Sequence, residues 1–171
     1  YVTPTTRAGD ALSTPTIWNQ DIVSNVMALA EPARCTIRRT TGVQSISNNT
    51  WTLVTFNLED KDTDSMWSST AASKVIINTA GDFRVTFQAC WASNGVGSRG
   101  IAICTSTAVN TNAEAKLVAG TTDAQIHGGN VSCEVSLTST DVLTFQVFQT
   151  SGGALNMAAD GSTTPCRATV R

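Results

Sequence analysis

A chain of 171 residues, 41% of them hydrophobic, can bury one sizeable core, so a single domain with an appended segment is expected. Its 11 basic and 13 acidic residues give a net charge of −2 and are spread through the chain, which argues against a nucleic-acid partner. No apolar run approaches the roughly 20 residues that span a bilayer, and no charged, apolar, small-residue signal pattern is visible, so no membrane partner is expected.

Taken in order, residues 1–14 carry Pro4, Gly9 and several threonines without apolar periodicity and read as an extended arm. Thr14-Pro15 reads as an N-cap followed by proline at the first helical position. Trp18, Ile22, Val26 and Leu29 then recur along one helical face until Glu31-Pro32 stops it. A lone helix of about four turns is marginal in water, so its apolar stripe must lie on the β-domain, on a sister chain or on another protein.

From Ala33 onward the grammar is that of strands. Cys35 to Thr40, Val43 to Ser47 and Trp51 to Phe56 read as strands, with a turn at Asn48-Asn49 and a polar stretch from Leu58 to Ala72. Lys74 to Ile77 is β-branched, Asn78 to Asp82 reverses the chain, and Phe83, Val85, Phe87, Ala89 and Trp91 alternate with polar residues. After a glycine-rich loop at 93–100 come a strand at Ile101 to Thr105, a loose segment at 107–120 with a short strand at Lys116-Leu117-Val118, and a turn at Gln125 to Gly129. Val131, Cys133, Val135 and Leu137 alternate, and a turn follows at Thr138 to Asp141. In the strand from Val142 to Thr150, Leu143, Phe145 and Val147 face one way and Val142, Thr144, Gln146 and Phe148 the other. Leu155-Asn156-Met157 and a last strand at 166–171 close the chain. Strands at intervals of roughly ten residues with Gly, Asn, Asp and Ser between them predict an all-β antiparallel sandwich or jelly roll.

The residues offer little chemistry. The single histidine, His127, sits in a predicted turn, and no nucleophile-elbow glycine pattern or paired acid site accompanies it. Gly95-Val96-Gly97-Ser98-Arg99-Gly100 matches a phosphate-binding glycine pattern, but a strand and not a helix follows it, so it reads as a hairpin loop. Asp60, Asp62 and Asp64 have the alternate spacing of a calcium loop. Ser65 and Ala71 stand where such a loop needs glycine and a bidentate glutamate, so the run reads as a solvated loop. Cys35, Cys90, Cys104, Cys133 and Cys166 lack metal-ligand spacing. They are either one or two disulfides with a spare thiol or, as preferred here, small apolar residues buried in strands of a protein made in a reducing cytosol. Trp51 and Trp91 are expected to pack in the core. No cofactor, no metal and no enzymatic activity is expected.

Residues 51–91 resemble the C1q/TNF-like jelly roll, with Phe56 ending an apolar strand, Asp64 and Trp67 in an Asp-rich loop, Ala80-Gly81 in the turn and Phe83 opening the aromatic-rich strand. Asp141 to Gln149 followed by Ser151 to Asn156 is similar to the bacteriophage version of that domain, with Thr140-Asp141 where the family has Gly-Asp. Thr3 to Arg7 and Trp18 to Asn25 resemble the leader of phage virion proteins that end in such a jelly roll. The resemblance divides the chain into an anchoring arm and helix, 1–32, and a jelly roll, 33–171. It implies a homotrimeric capsid decoration or head-fibre protein, made in the host bacterial cytoplasm and displayed on the capsid surface of the virion. Tyr1, Val2, Pro4, Arg7, Trp18 and Ile22 are expected to hold the major capsid protein, and Val26, Phe148, Cys166, Ala168 and Val170 to face sister chains. The alternative it leaves is a tail-fibre module that recognises a host surface receptor through loops such as 57–72 or 93–100.

Overall fold

In the computed structural model, which describes residues 15–18, 22–40, 42–120, 127–157 and 166–171, Phe83, Val85, Phe87, Ala89 and Trp91 are all buried. Between them Arg84 is exposed and Thr86 and Gln88 are half-buried, as the two-residue period of a strand with one covered face requires, while Cys90, next to the end of the strand, is buried although it falls on the outer side of that period.

The chain divides into two units, Tyr1–Ala33 and Arg34–Arg171. In the first, α1 (Pro15–Trp18) and α2 (Ser24–Ala30) are helical. Helix α2 ends where Glu31-Pro32 should end it: Glu31 leaves the helical region with φ −132° and ψ 72°, and its N–H donates to the Met27 carbonyl at 2.9 Å. The expected cap at Thr14 lies outside the described residues.

The second unit contains β1 (Cys35–Arg39), β2 (Gln44–Ile46), β3 (Thr52–Leu53), β4 (Leu58–Asp62), β5 (Lys74–Ile76), β6 (Gly81–Trp91), β7 (Ser98–Cys104), β8 (Ala113–Gly120), β9 (His127–Leu137), β10 (Val142–Gln149), β11 (Leu155–Met157) and β12 (Cys166–Val170). One sheet runs β2-β11-β6-β12-β1-β4, with β9 paired along β6; the other runs β3-β10-β7-β8, with β5 also on β10. These pairings are antiparallel, and the two sheets form a jelly-roll sandwich. The sheets meet at three rings. Phe145 of β10 stands edge-on to Phe56 at 5.6 Å between centroids and tilts against Phe87 of β6 at 5.3 Å. As the sequence predicts, Leu143, Phe145 and Val147 are the inward face of β10.

Four expectations change. The acidic run is not a solvated loop but begins as strand β4, at the edge of its sheet, with Asp60 salt-bridged to Arg38 of β1 at 2.8 Å and Arg167 of β12 at 3.0 Å. Strand β8 spans eight residues where three were expected. The glycine-rich loop ends at Gly97, because β7 starts at Ser98 and takes Gly100 into the sheet. His127, Gly128 and Gly129 open β9 opposite Trp91, Cys90 and Ala89 instead of turning, while 125 and 126 lie outside the described residues. The glycine is useful there: a Cβ on Gly129 would stand 2.9 Å from Ile101 Cδ1 of the opposite sheet.

Candidate interaction surfaces

The buried apolar residues among those described belong entirely to Arg34–Arg171, whereas the helical unit presents Ile22, Val23, Val26, Met27 and Leu29 to solvent, with Val26 57% and Leu29 83% exposed. Trp18 closes α1. Tyr1, Val2, Pro4 and Arg7 lie outside the described residues.

Strand β12 corrects the expected sister-chain surface. Cys166, Ala168 and Val170 are fully buried in the sandwich of the single chain, so their side chains have no surface to offer a second copy. The strand alternates as its sequence predicts, with the faces opposite to the expectation: Arg167 and Thr169 point the other way, out of the sheet. On that outer face Ser132 of β9, Thr86 of β6, Thr169 of β12 and Thr36 of β1 lie abreast in register, with the Thr36 hydroxyl 3.5 Å from that of Thr169. Arg38, Asp60 and Arg167 form the charged end of the same face.

The outer face of the second sheet is different. Trp51, expected in the core, instead lies half-buried outside the sheet. It stacks on Phe148 with centroids 5.2 Å apart, and the Lys116 ammonium sits 4.6 Å from its ring centroid. Gly100 is the floor beneath it, since a Cβ there would be 3.0 Å from Trp51 Cη2. Beside this cluster, residues 105–112 fold back over β10 and bury its polar side chains. Thr144 Oγ1 donates to the Ser106 carbonyl at 2.6 Å, and Gln146 Oε1 accepts from the Asn110 N–H at 2.7 Å. Phe148, expected between sister chains, is therefore engaged by Trp51 while keeping part of its surface open. Its pattern gave no hint of Trp51, which is separated from it by 97 positions of sequence.

No group of three metal-ligating side chains assembles among the described residues. The alternate aspartates are used by their own protein: Asp62 accepts from the Asp64 and Trp67 N–H groups at 3.1 and 2.8 Å, and Asp64 accepts from the Thr79 N–H at 3.0 Å. The cysteines are all thiols in strands, four of them buried. Burial first, and the carboxylates of Asp62 and Glu59 second, push Cys35 up to about 12; burial also carries Cys166 to about 12, against the opposing charge of Arg39. Such thiols stay protonated and are poor nucleophiles at neutral pH.

No family model and no curated protein sequence matches the chain. Solved structures do. It is similar to murine APRIL at a TM-score of 0.59 and 9% identity, covering 81% of this chain and 98% of that one. Eiger TNF from S. frugiperda follows at 0.55 and 13% identity, over 81% and 91% of the two chains. The globular domain of zebrafish complement 1qA follows at 0.50 and 11%, over 81% and 92%. At these identities the likeness is one of fold, and that fold is a TNF/C1q-like jelly roll.

Proposed function

We propose that this chain is a non-enzymatic structural protein of a bacteriophage virion, a trimeric capsid decoration or head-fibre protein held to the major capsid protein by its N-terminal segment. The observation that carries this reading is the exposed apolar stripe Ile22, Val23, Val26, Met27 and Leu29 on a short helical unit, while the buried core among the described residues lies within Arg34–Arg171. A helix of that kind gains its stability by laying the stripe into a groove of another protein, and three copies acting together multiply the hold by raising effective concentration.

Self-association is supported by the outer face of β12, β6 and β1, where the row Ser132, Thr86, Thr169 and Thr36 is small and uncharged and would meet a different face of the next copy, as a closed trimer requires. The bacteriophage assignment rests on the sequence resemblance at Thr3 to Asn25 and Asp141 to Asn156.

Gold labelling of intact virions with an antibody to the jelly roll tests the reading. Label over the head is the expected result. Label at the tail tip would replace capsid docking with recognition of a host surface, and absence of label would overturn the virion assignment. Sedimentation equilibrium of the full chain tests the trimer, which fails if the mass is that of a monomer.

A further inference from the structure

We propose that Arg34, Arg84 and Arg171, abreast on the outer face of the first sheet, dock an acidic helix of a partner protein. Arg171, just past β12, pairs with Arg84 of β6: the Arg84 N–H donates to the Arg171 carbonyl at 2.7 Å, and the Arg171 N–H returns a bond to the Arg84 carbonyl at 3.1 Å. One residue beyond the Cys35 and Val170 pair, the same register sets Arg34 opposite Arg171. Glu134 of β9 stands at one end of the row, opposite Arg84, and Thr63 at the other, its N–H donating to the Arg34 carbonyl at 3.0 Å. All three arginines are exposed and alternate with the buried Cys35, Val85 and Val170, which places them on the outer face.

The two ends of this face treat charge differently. At one end Arg38 and Arg167 share Asp60, at 2.8 and 3.0 Å. At the other end no ion pair among the described residues engages Arg34, Arg84 or Arg171. Neither Glu134 nor the carboxylate that ends Arg171 forms one with them. Asp82, two positions along β6 from Arg84, is taken up by the Ser136 hydroxyl. Like charges set directly opposite on neighbouring strands repel, and the sheet carries that cost until anions cover them. A second copy offers no matching row. Among the described residues of the sandwich, Glu59, Glu114 and Glu134 sit on separate strands, and the aspartates are held by N–H groups, hydroxyls or arginines of their own chain.

The spacing selects a helix. Neighbouring strands lie about 4.8 Å apart, so the outer two arginines are separated by roughly 10 Å. Carboxylates at i and i+2 of an extended segment stand about 7 Å apart and fall out of step with that row. Positions i, i+4 and i+7 of a helix share one face and rise by about 6 and 10.5 Å, so each carboxylate meets a guanidinium in turn. The planar guanidinium fork then takes both oxygens of its carboxylate.

The same partner can serve the helical unit. Only Glu31, Pro32 and Ala33 separate α2 from Arg34, so a protein that receives the stripe of Val26 and Leu29 lies within roughly 13 Å of chain from the row. For the partner's identity this rests on the capsid-docking reading; for its chemistry it rests on the arginine row alone.

The test uses the full chain and a labelled synthetic helical peptide with glutamates at i, i+4 and i+7, followed by fluorescence anisotropy at low and at physiological salt. One comparison peptide has glutamine in those places, and another has the same glutamates spread around the helix. Saturable binding of the acidic-face peptide, weakened by salt and tighter than either comparison, is the expected result. Arg34→Gln together with Arg84→Gln should weaken it about tenfold, with the melting temperature unchanged or slightly raised, whereas Arg38→Gln should leave binding as it is. Equal binding of the glutamine or the spread-out peptide, or an undiminished double variant, would overturn the proposal. So would a double variant whose sedimenting mass drops, which would assign the row to contacts between copies. If the peptide binds while the wild-type chain fails to co-sediment with capsids, the arginine row stands and the capsid reading falls.

Discussion

Val26 on α2 and Val85 on β6 are the same residue in two regions of one chain, the first 57% exposed and the second fully buried. Both belong to apolar patterns of clear period, one helical and one extended. The strand finds its cover in the opposing sheet, where Phe87 meets Phe145, while the helix carries a stripe of the same chemistry with solvent on it. Periodicity therefore states that a face wants cover, and only the fold says whether the chain supplies it.

The largest test of that contrast strikes the covered side. Phe145→Ala should cost about 3–5 kcal/mol, read from the urea midpoint, because the ring is fully buried between Phe56 and Phe87 and the space it leaves cannot collapse without moving both sheets. A loss below about 1 kcal/mol would mean that the two sheets are not closely packed there. Next in size, Gly97→Ala should cost about 3 kcal/mol, since Gly97 has φ 79° and an added Cβ would overlap the Thr150 carbonyl. An unchanged melting temperature would show that the turn into β7 is loose.

A pH series sharpens the contrast from another direction. Cys35 and Cys166 have folded pKa values raised to about 12 from an ordinary 9.0, so their contribution is fully present below pH 9 and is lost as pH rises from there towards 12. Denaturation midpoints should fall over that window, and less steeply in the Cys35→Ala, Cys166→Ala double variant; equal slopes would show that these thiols are not the cause. The smallest effect belongs to the uncovered side. Val26→Asp should change the unfolding free energy of the sandwich by less than about 0.5 kcal/mol, checked by calorimetry, and remove binding to capsids in a co-sedimentation assay. Full retention on particles would separate α2 from anchoring.

How much of this was legible follows the same logic of cover. Strands β6 and β10 could be read from sequence because each has one face on the core, so their apolar residues repeat every second position. Strand β4 could not, and β8 only at Lys116-Leu117-Val118, because both are edge strands with one paired neighbour. Leu58-Glu59-Asp60-Lys61-Asp62 carries charges that meet arginines of neighbouring strands, and Ala113–Gly120 is largely exposed, so backbone pairing holds them where apolar patterning is weak. Glycine misled in a consistent way. Gly100, Gly128 and Gly129 read as turn residues, yet at Gly100 and Gly129 a side chain would crowd Trp51 or Ile101. Thr140 is the converse case: it stands where the resembling family has glycine, and it adopts φ 79°, which explains why glycine suits that turn.

Of the candidate surfaces, the helix stripe was visible in sequence and the Trp51–Phe148 cluster was not, since stacking between residues 97 positions apart leaves no local pattern. The β12 surface was half visible. Alternation identified two faces, but small residues such as Cys166 and Ala168 suit a tight core as well as a tight interface.

The five thiols have a consequence for how the molecule comes into being. Each belongs to a different strand, and the finished fold links none of them to another by a disulfide. Any sulfur–sulfur bond closed while the chain is still open is thus a mistake that must be undone before the sheets can close, and an odd number always leaves one thiol to reach for a neighbouring molecule. Reaching the native state becomes a race between sealing the sandwich and oxidation, one that a reductant wins for the protein and air decides against it.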